Sequence, residues 1–255
     1  MSEFDDLERA AARHWQAPDT EPLGEWLLRA ADGFTGRANS VLPVGDPGVP
    51  LAEAVTAVTA WYRRRRLPPM IVVPLPLHSA GGHQLDTYLA ERAWLIRPGP
   101  ALVLTAAIAD IPPAPDPGIQ LDPEPDAAWL ARYRYRGQEL PPIARTLLLS
   151  APWQAFASVR PAPGSDSRDG GAVAVGRVSV AGRWAAITAV EVDPAGRRRG
   201  LAAAITSALA AAAARRGADH VLLQVETANV AARALYARCG FRDSHRYHYR
   251  IAPAT

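Results

Sequence analysis

The sequence predicts an α/β protein built on a mixed α+β sheet. Three observations carry this. Short β-prone runs are joined by turn signals, alanine-rich helical stretches lie between them, and the last third reads β-α-β-α-β after a set of hairpin-like strands. At 255 residues the chain can hold one large domain or two small ones, each burying a core. Every one of its 28 basic residues is arginine; against 25 acidic residues this leaves +3, too even for a dedicated nucleic-acid binder. Cys239 is the only cysteine, which excludes an intrachain disulfide and a cysteine-based zinc site.

In the first half, Glu25–Ala31 and Ala38–Val44 read as strands around the turn signal Asp32-Gly33. Leu51–Tyr62 places Val55, Val58 and Tyr62 at helical spacing. Met70–Leu75 is a short apolar strand, Leu85–Trp94 a second helix and Ala101–Ile108 a second buried strand. The prolines of Asp110–Gly118 suit neither a helix interior nor a central strand. They mark residues 111–118 as a linker between a domain of residues 1–110 and one of 119–255.

The second half opens with helices at Asp126–Arg136 and Ile143–Leu149, then strands at Gln154–Val159, Ala172–Val180 and Trp184–Val192. Pro161–Gly171 reads as a long hairpin loop, and Ala181-Gly182 as a tight one. Gly200–Arg215 is a helix with Ile205 and Leu209 on one face, His220–Glu226 a strand, and Asn229 caps a helix that Gly240 ends after Arg238. Tyr247–Ile251 closes the sheet.

The most informative stretch is Val192-Asp-Pro-Ala-Gly-Arg-Arg-Arg-Gly-Leu-Ala202. It carries an apolar strand through a short Arg/Gly loop directly into a helix. Such a loop aims several unpaired backbone N–H groups at one point, where the helix dipole adds positive potential; this suits a phosphate or pyrophosphate. Arg197, Arg198 and Arg199 add side-chain charge, and Gly200 permits close backbone approach. Without an anion, three arginines at the positive end of a helix are unfavourable.

These residues bring the chain close to a known family. Arg197-Arg-Arg-Gly200-Leu-Ala202, preceded by Val192-Asp-Pro194, resembles the pyrophosphate loop of the GNAT superfamily of N-acetyltransferases. Asn229, Tyr236 and Gly240-Phe241 resemble its later helix motif, in order and on the expected elements. The match covers roughly the second half. It implies a GNAT fold there, acetyl-CoA as donor, and backbone contacts from Val190 and Val192 to the pantetheine arm. It further implies contacts to the coenzyme from Arg197, Arg198, Arg199, Gly200, Leu201, Ala202, Asn229, Ala232 and Tyr236. Tyr236 would protonate the departing thiolate, with a phenol pKa of about 10. The first half resembles a degenerate second copy of the fold. It lacks the Arg/Gln-x-x-Gly-x-Gly loop, although Gly33-Phe-Thr-Gly-Arg-Ala-Asn-Ser40 resembles a stretch in some bacterial tandem members.

Glu191 is the one carboxylate inside the strand that ends at the loop, and so is a candidate base for the incoming ammonium; a structural ion pair or a water chain serves equally well. His220, His245 and His248 have no metal-ligand spacing and read as surface residues, so no metal is expected. Arg63–Arg66 reads as a solvated helix end, and Trp61, Trp94 and Trp129 as core or interdomain packing. The acidic start and the interrupted apolar runs make a soluble, cytoplasmic protein the expectation, with no membrane partner. The expected activity is direct acetyl transfer to a primary amine, on a small molecule or a peptide. A CoA-binding regulatory module without turnover is the alternative, and nucleic-acid association through the arginines is a third that would show as strong salt dependence.

Overall fold

The computed structural model describes residues 4–77, 84–134, 137–161 and 171–253. Helix α1 (Asp5–Ala12) carries Asp5, Asp6 and Glu8 in its first turn, where they complement the dipole. Strands β1 (Asp19–Leu23) and β2 (Trp26–Ala30) pair as an antiparallel hairpin. Helix α2 (Leu51–Arg64) buries Val55, Val58, Trp61 and Tyr62, the stripe that its spacing predicts. Strand β3 (Met70–Leu75), helix α3 (Gln84–Ala90), and strands β4 (Leu95–Ile96) and β5 (Ala101–Ala107) complete the first half.

Strand β6 (Ile119–Asp122), helices α4 (Ala127–Arg132) and α5 (Ile143–Leu148), and strands β7 (Trp153–Val159), β8 (Ala174–Ala181) and β9 (Trp184–Val192) follow. Helix α6 (Leu201–Ala214), strand β10 (His220–Glu226), helix α7 (Val230–Arg238) and strand β11 (Arg242–Ile251) end the chain.

One sheet runs through both halves, in the order β3-β11-β5-β10-β9-β8-β7-β6, with β4 beside β11. Its strand pairs are antiparallel except β9 with β10. Strand β5 lies between β10 and β11, so a strand from before the proline-rich stretch sits among strands from the end of the chain. On one face α6 and α7 pack through Leu201, Ile205, Leu209, Ala213 and Tyr236 onto β5 and β7–β10. The four α6 residues recur every fourth position and form one stripe; each buried Leu or Ile contributes roughly 1.5–3 kcal/mol. On the other face α4, α5 and the chain around Trp15 and Phe34 cover β7 and β8, and α1 lies over β11 and β5. Helices α2 and α3 cover β3 on the α6 side, where Ile71, Val73 and Leu75 share a face with Leu102 through Arg246.

Several expectations change. Ala38–Val44 is not a strand; it makes only the isolated bridges Leu27↔Leu42 and Val41↔Ile71. The Asn39 side chain competes with any ladder there. Its Oδ1 accepts from Ala31 N and Gly33 N, and its Nδ2 donates to the Ala31, Phe34 and Thr35 carbonyls. Helix α4 stops at Arg132 because Tyr133 turns extended and packs on Trp129, while the Arg132 guanidinium binds Ala172 O; residues 135–136 of the predicted span lie outside the described residues. Most of the Pro161–Gly171 loop lies outside them too.

His245 and His248 are buried, not on the surface, because β11 is an interior strand covered on both faces. His245 Nε2 lies 2.7 Å from Glu8 Oε1, and Asp86 Oδ1 lies 2.7 Å from both His248 Nε2 and Arg250 Nε. Both contacts tie the last strand to first-half helices.

Arg177, fully buried, forms a third tie. It donates to Leu148 O, His14 O, Ser179 Oγ and Thr188 Oγ1. His14 lies just beyond α1, also buried, with Nδ1 3.0 Å from Ser179 Oγ. Burial, then the Arg177 and Arg13 charges, push its pKa down to about 3. A histidine in the unfolded chain takes up its proton below about 6.5. Between these values only the unfolded state holds the proton, so this group's stabilising effect is complete above about pH 6.5 and declines as pH falls towards 3. We expect a loss of roughly 2–3 kcal/mol at about pH 4.5 from this residue. Urea unfolding at neutral pH and at about pH 4.5 checks it: the stability difference should shrink in His14→Gln. An equal difference in both proteins contradicts it.

Candidate active site

Strands β9 and β10 pair only over Trp184–Ala186 and His220–Leu222. Beyond that, β9 stays on β8 through Val192, and β10 stays on β5 through Glu226. The sheet therefore opens as a wedge. Across it, Ile187–Val192 and Leu223–Glu226 have no ladder partner. A bulge produces the divergence: Gly176 of β8 faces both Ala189 and Val190, between the pairs Val175↔Glu191 and Arg177↔Thr188. Ala189 is left-handed, with φ 55°, and an extra residue of this kind bends and twists the strand that carries it.

The open end of β9 runs into a one-turn 3-10 helix, Pro194–Gly196, which Asp193 caps by accepting from Ala195 N. Asp193 is held in turn by Arg132 at 2.6 Å. Arg197, Arg198 and Arg199 are exposed, and Gly200, the N-cap of α6, has φ +78°. A Cβ at Gly200 would meet no atom within 4 Å, so glycine is required by the backbone angle and not by space. Helix α6 has no side-chain cap and no acid in its first turn; its first internal bond is Ala204 N–H to Gly200 O, at 3.0 Å. The amides of Leu201, Ala202 and Ala203 thus have no acceptor among the described residues. A helix start built without acceptors, beside three exposed arginines, fits a diphosphate.

Across the wedge, Asn229 Oδ1 accepts from Ala232 N at 3.1 Å and caps α7. Tyr236, one turn from the end of α7, is buried in the same apolar cluster as Ile187, Leu223 and Val225, with Val190, Val192 and Ala232 packed against it. Its ring meets Phe241 edge-on at 5.6 Å. Burial, and Cys239 nearby, raise its pKa well above that of a free phenol, so the expectation of about 10 is corrected upward. The hydroxyl remains protonated throughout the physiological range.

Val190 and Val192 face the α6 side, which leaves their backbone as the part available to a ligand. Glu191 faces the other way, and its Oε2 accepts from Arg134 N at 2.9 Å, tying the chain after α4 to the end of β9. His220 is not among the wedge groups; it lies 2.6 Å from Asp219 at the paired end of β10.

Sequence reasoning did not find the groups on the sheet face opposite α6. Thr188 and Gln224 are each the second residue beyond the last shared rung, on β9 and β10 respectively. Arg177 Nη1 donates to Thr188 Oγ1 at 3.3 Å, and Arg37 Nη1 to Gln224 Oε1 at 3.1 Å. A cavity of about 120 Å³ adjoins the Arg37–Gln224 pair, lined by Gly36, Arg37, Arg97, Gln224, Glu226 and Tyr249 among others. The available signal was the Gly33–Ser40 stretch, whose Asn39 fixes the turn that presents Arg37.

Comparison with known proteins agrees with this geometry. The family model described as "Probable histone acetyltransferase Rv0428c C-terminal" matches residues 1–250. A relative from Bacillus subtilis, "Uncharacterized N-acetyltransferase YobR", is 25% identical over 98% of this chain and 99% of its own length. "Probable histone acetyltransferase Rv0428c" of Mycobacterium tuberculosis is 30% identical over 51% of this chain and 38% of its own. Among solved structures, a GCN5-related N-acetyltransferase from Kribbella flavida superposes with a TM-score of 0.68 at 17% identity, covering 100% of this chain and 97% of its own. A tandem GNAT protein from the clavulanic acid biosynthesis pathway gives 0.62 at 13% identity, covering 100% and 89%. At these identities the two structures speak for the fold alone.

The left-handed N-cap makes a stability prediction. Gly200→Ala should fold but lose about 1–2 kcal/mol in urea unfolding, the cost of forcing an L-residue into that conformation. An unchanged midpoint would mean that the loop does not hold this angle.

Proposed function

The chain belongs to the acetyltransferase family described by the Rv0428c C-terminal model, within the GNAT N-acetyltransferases, and from that premise we propose that it moves an acetyl group from acetyl-CoA directly to a primary amine. The observation that carries this reading is the wedge between β9 and β10, ending at a helix start whose amides lack acceptors among the described residues. When bound, the coenzyme supplies an acetyl thioester. The amides of Gly200, Leu201 and Ala202, with Arg197, Arg198 and Arg199, hold its diphosphate. The backbone of Val190 and Val192 lines the path of the pantetheine arm, with Asn229 and Ala232 on the other wall.

A β9 amide beyond Ala186, freed from the ladder, is available to stabilise negative charge on the carbonyl oxygen, a role worth about 3 kcal/mol in other enzymes. Tyr236 donates its hydroxyl proton to the leaving sulfur; burial keeps that proton in place until it is needed. Glu191 Oε2 is taken by Arg134 N, so proton removal from the amine runs through water, with the remaining Glu191 oxygen as acceptor. Residues 1–110, read as a degenerate copy of the fold, cover the acceptor side. No helix among the described residues is long and apolar enough to cross a membrane, and we place the reaction in the cytoplasm.

Tyr236→Phe separates an enzyme from a CoA-binding module. Thiol release with acetyl-CoA and a panel of amines should fall by roughly 10²–10³-fold in this variant. Calorimetric affinity for CoA should barely change. Equal turnover removes Tyr236 from the reaction, and CoA binding without any turnover in the unmodified protein favours the binding module.

A further inference from the structure

We propose that the acceptor is a small amino acid, an amine carrying a carboxylate close by, and that Arg37 binds the carboxylate on the face of the sheet opposite α6. This rests on the acetyltransferase reading above and names its substrate class.

Location comes first. Ile187 and Leu223, the first residues past the last shared rung, point into the core under α6. Alternation then turns Thr188 and Gln224 to the opposite face, at the apex of the wedge. An acceptor reaching a thioester held in the wedge from the side away from α6 would pass these two side chains. Each is held by an arginine, Thr188 by Arg177 and Gln224 by Arg37.

Charge comes second. The Arg37 and Arg177 guanidinium groups lie 4.9 and 5.4 Å from the Trp15 ring centroid, and the indole is fixed by donating to Thr35 Oγ1. Burial, then the nearby Arg37 charge, draw the pKa of Arg177 down to about 9. Arg97 lies over Tyr249 on the rim of the same cavity. None of these three arginines forms an ion pair among the described residues, whereas Arg65, Arg132, Arg233 and Arg250 pair with Asp19, Asp193, Asp243 and Asp86. The acids nearby are Glu8, engaged by His245, and the exposed Glu226 at the cavity edge. The region therefore holds more positive charge than it neutralises. An anionic group adjoining the reacting amine supplies what is missing, and Arg37 offers a planar fork suited to a carboxylate.

Construction comes third. Arg37 sits in a turn that Asn39 fixes through five hydrogen bonds to main-chain atoms. The side chain is half-buried and already oriented by Trp15 and Gln224, so little freedom is lost when an anion binds. Gly36 makes the space: a Cβ there would lie 2.7 Å from both Arg97 Nη1 and the Tyr249 ring. The resulting cavity of about 120 Å³ equals roughly four water molecules in volume, enough for a carboxylate on a short stem.

The test compares the common amino acids with their own carboxamides, which keep the amine and lose the negative charge. Thiol release with acetyl-CoA should show at least one acid preferred by roughly tenfold or more in kcat/KM, carried mainly by KM. In Arg37→Gln the acid-to-amide ratio should fall towards one, and Arg37→Lys should restore part of it. The heat of CoA binding shows that each variant is folded and separates failure of this proposal from failure of the acetyltransferase reading. Equal use of acids and amides by the unmodified protein, or an undiminished ratio in Arg37→Gln, overturns the proposal. If no amine turns over, calorimetry of CoA-saturated protein with N-acetyl amino acids and their amides decides it. Preferential binding of the acids that Arg37→Gln abolishes supports the carboxylate site, and equal heats overturn it.

Discussion

Strands in a sheet satisfy their main-chain donors and acceptors through their neighbours, and β9 and β10 do so for three residue pairs before they part. The rest of the site follows from that departure. Each strand keeps its outer partner, β8 on one side and β5 on the other, so the separation is held from both flanks. The bulge at Ala189 keeps β9 bent away. Polar main chain left bare in the interior of a sheet is costly unless something binds there. At the mouth of the wedge α6 begins with amides that nothing among the described residues caps, and on the proposed reading an anion meets the cost there.

The first half of the chain helps to build this wedge. Strand β5 is the neighbour that holds β10 in place, and it arrives from before the proline-rich stretch. Buried polar contacts fix the surrounding parts across long stretches of sequence. Glu8 meets His245, Asp86 meets His248 and Arg250, and Arg177 binds the carbonyl of His14. Removing one partner of such a pair leaves a buried polar group without its hydrogen bond, which is why contacts of this kind fix one arrangement of elements over its alternatives. The same first-half material, from Trp15 to Arg37, meets the wedge on the face opposite α6, where Arg37 donates to Gln224.

The loop before α6 and the cap of α7 were readable in the sequence because their requirements are local. A left-handed N-cap demands glycine at position 200, an Asn at position 229 caps the helix that carries Tyr236, and β10 has the bounds that its apolar run suggests. The face that carries Arg37 was not readable, because its contacts are remote: Arg37 and Gln224 are 187 positions apart. Polarity also misled where neighbouring elements covered both faces of a strand. His245 and His248 look like exposed polar residues until α1 and α3 are placed on the two faces of β11, bringing Glu8 to the first and Asp86 to the second. Strands β1 and β6, with charged and largely exposed residues, have no apolar rhythm by which to be recognised. The side chain of Asn39 satisfied backbone groups that a strand at Ala38–Val44 would have used.

Hydrogen–deuterium exchange, read amide by amide with and without coenzyme A, tests the wedge most directly. Binding should slow exchange in the stretch from Ile187 to Val192 and at the first amides of α6, while the three-residue ladder at Trp184–Ala186 changes little. Protection confined to other surfaces, or none at saturating coenzyme, would contradict the account of how this sheet is opened and what fills it.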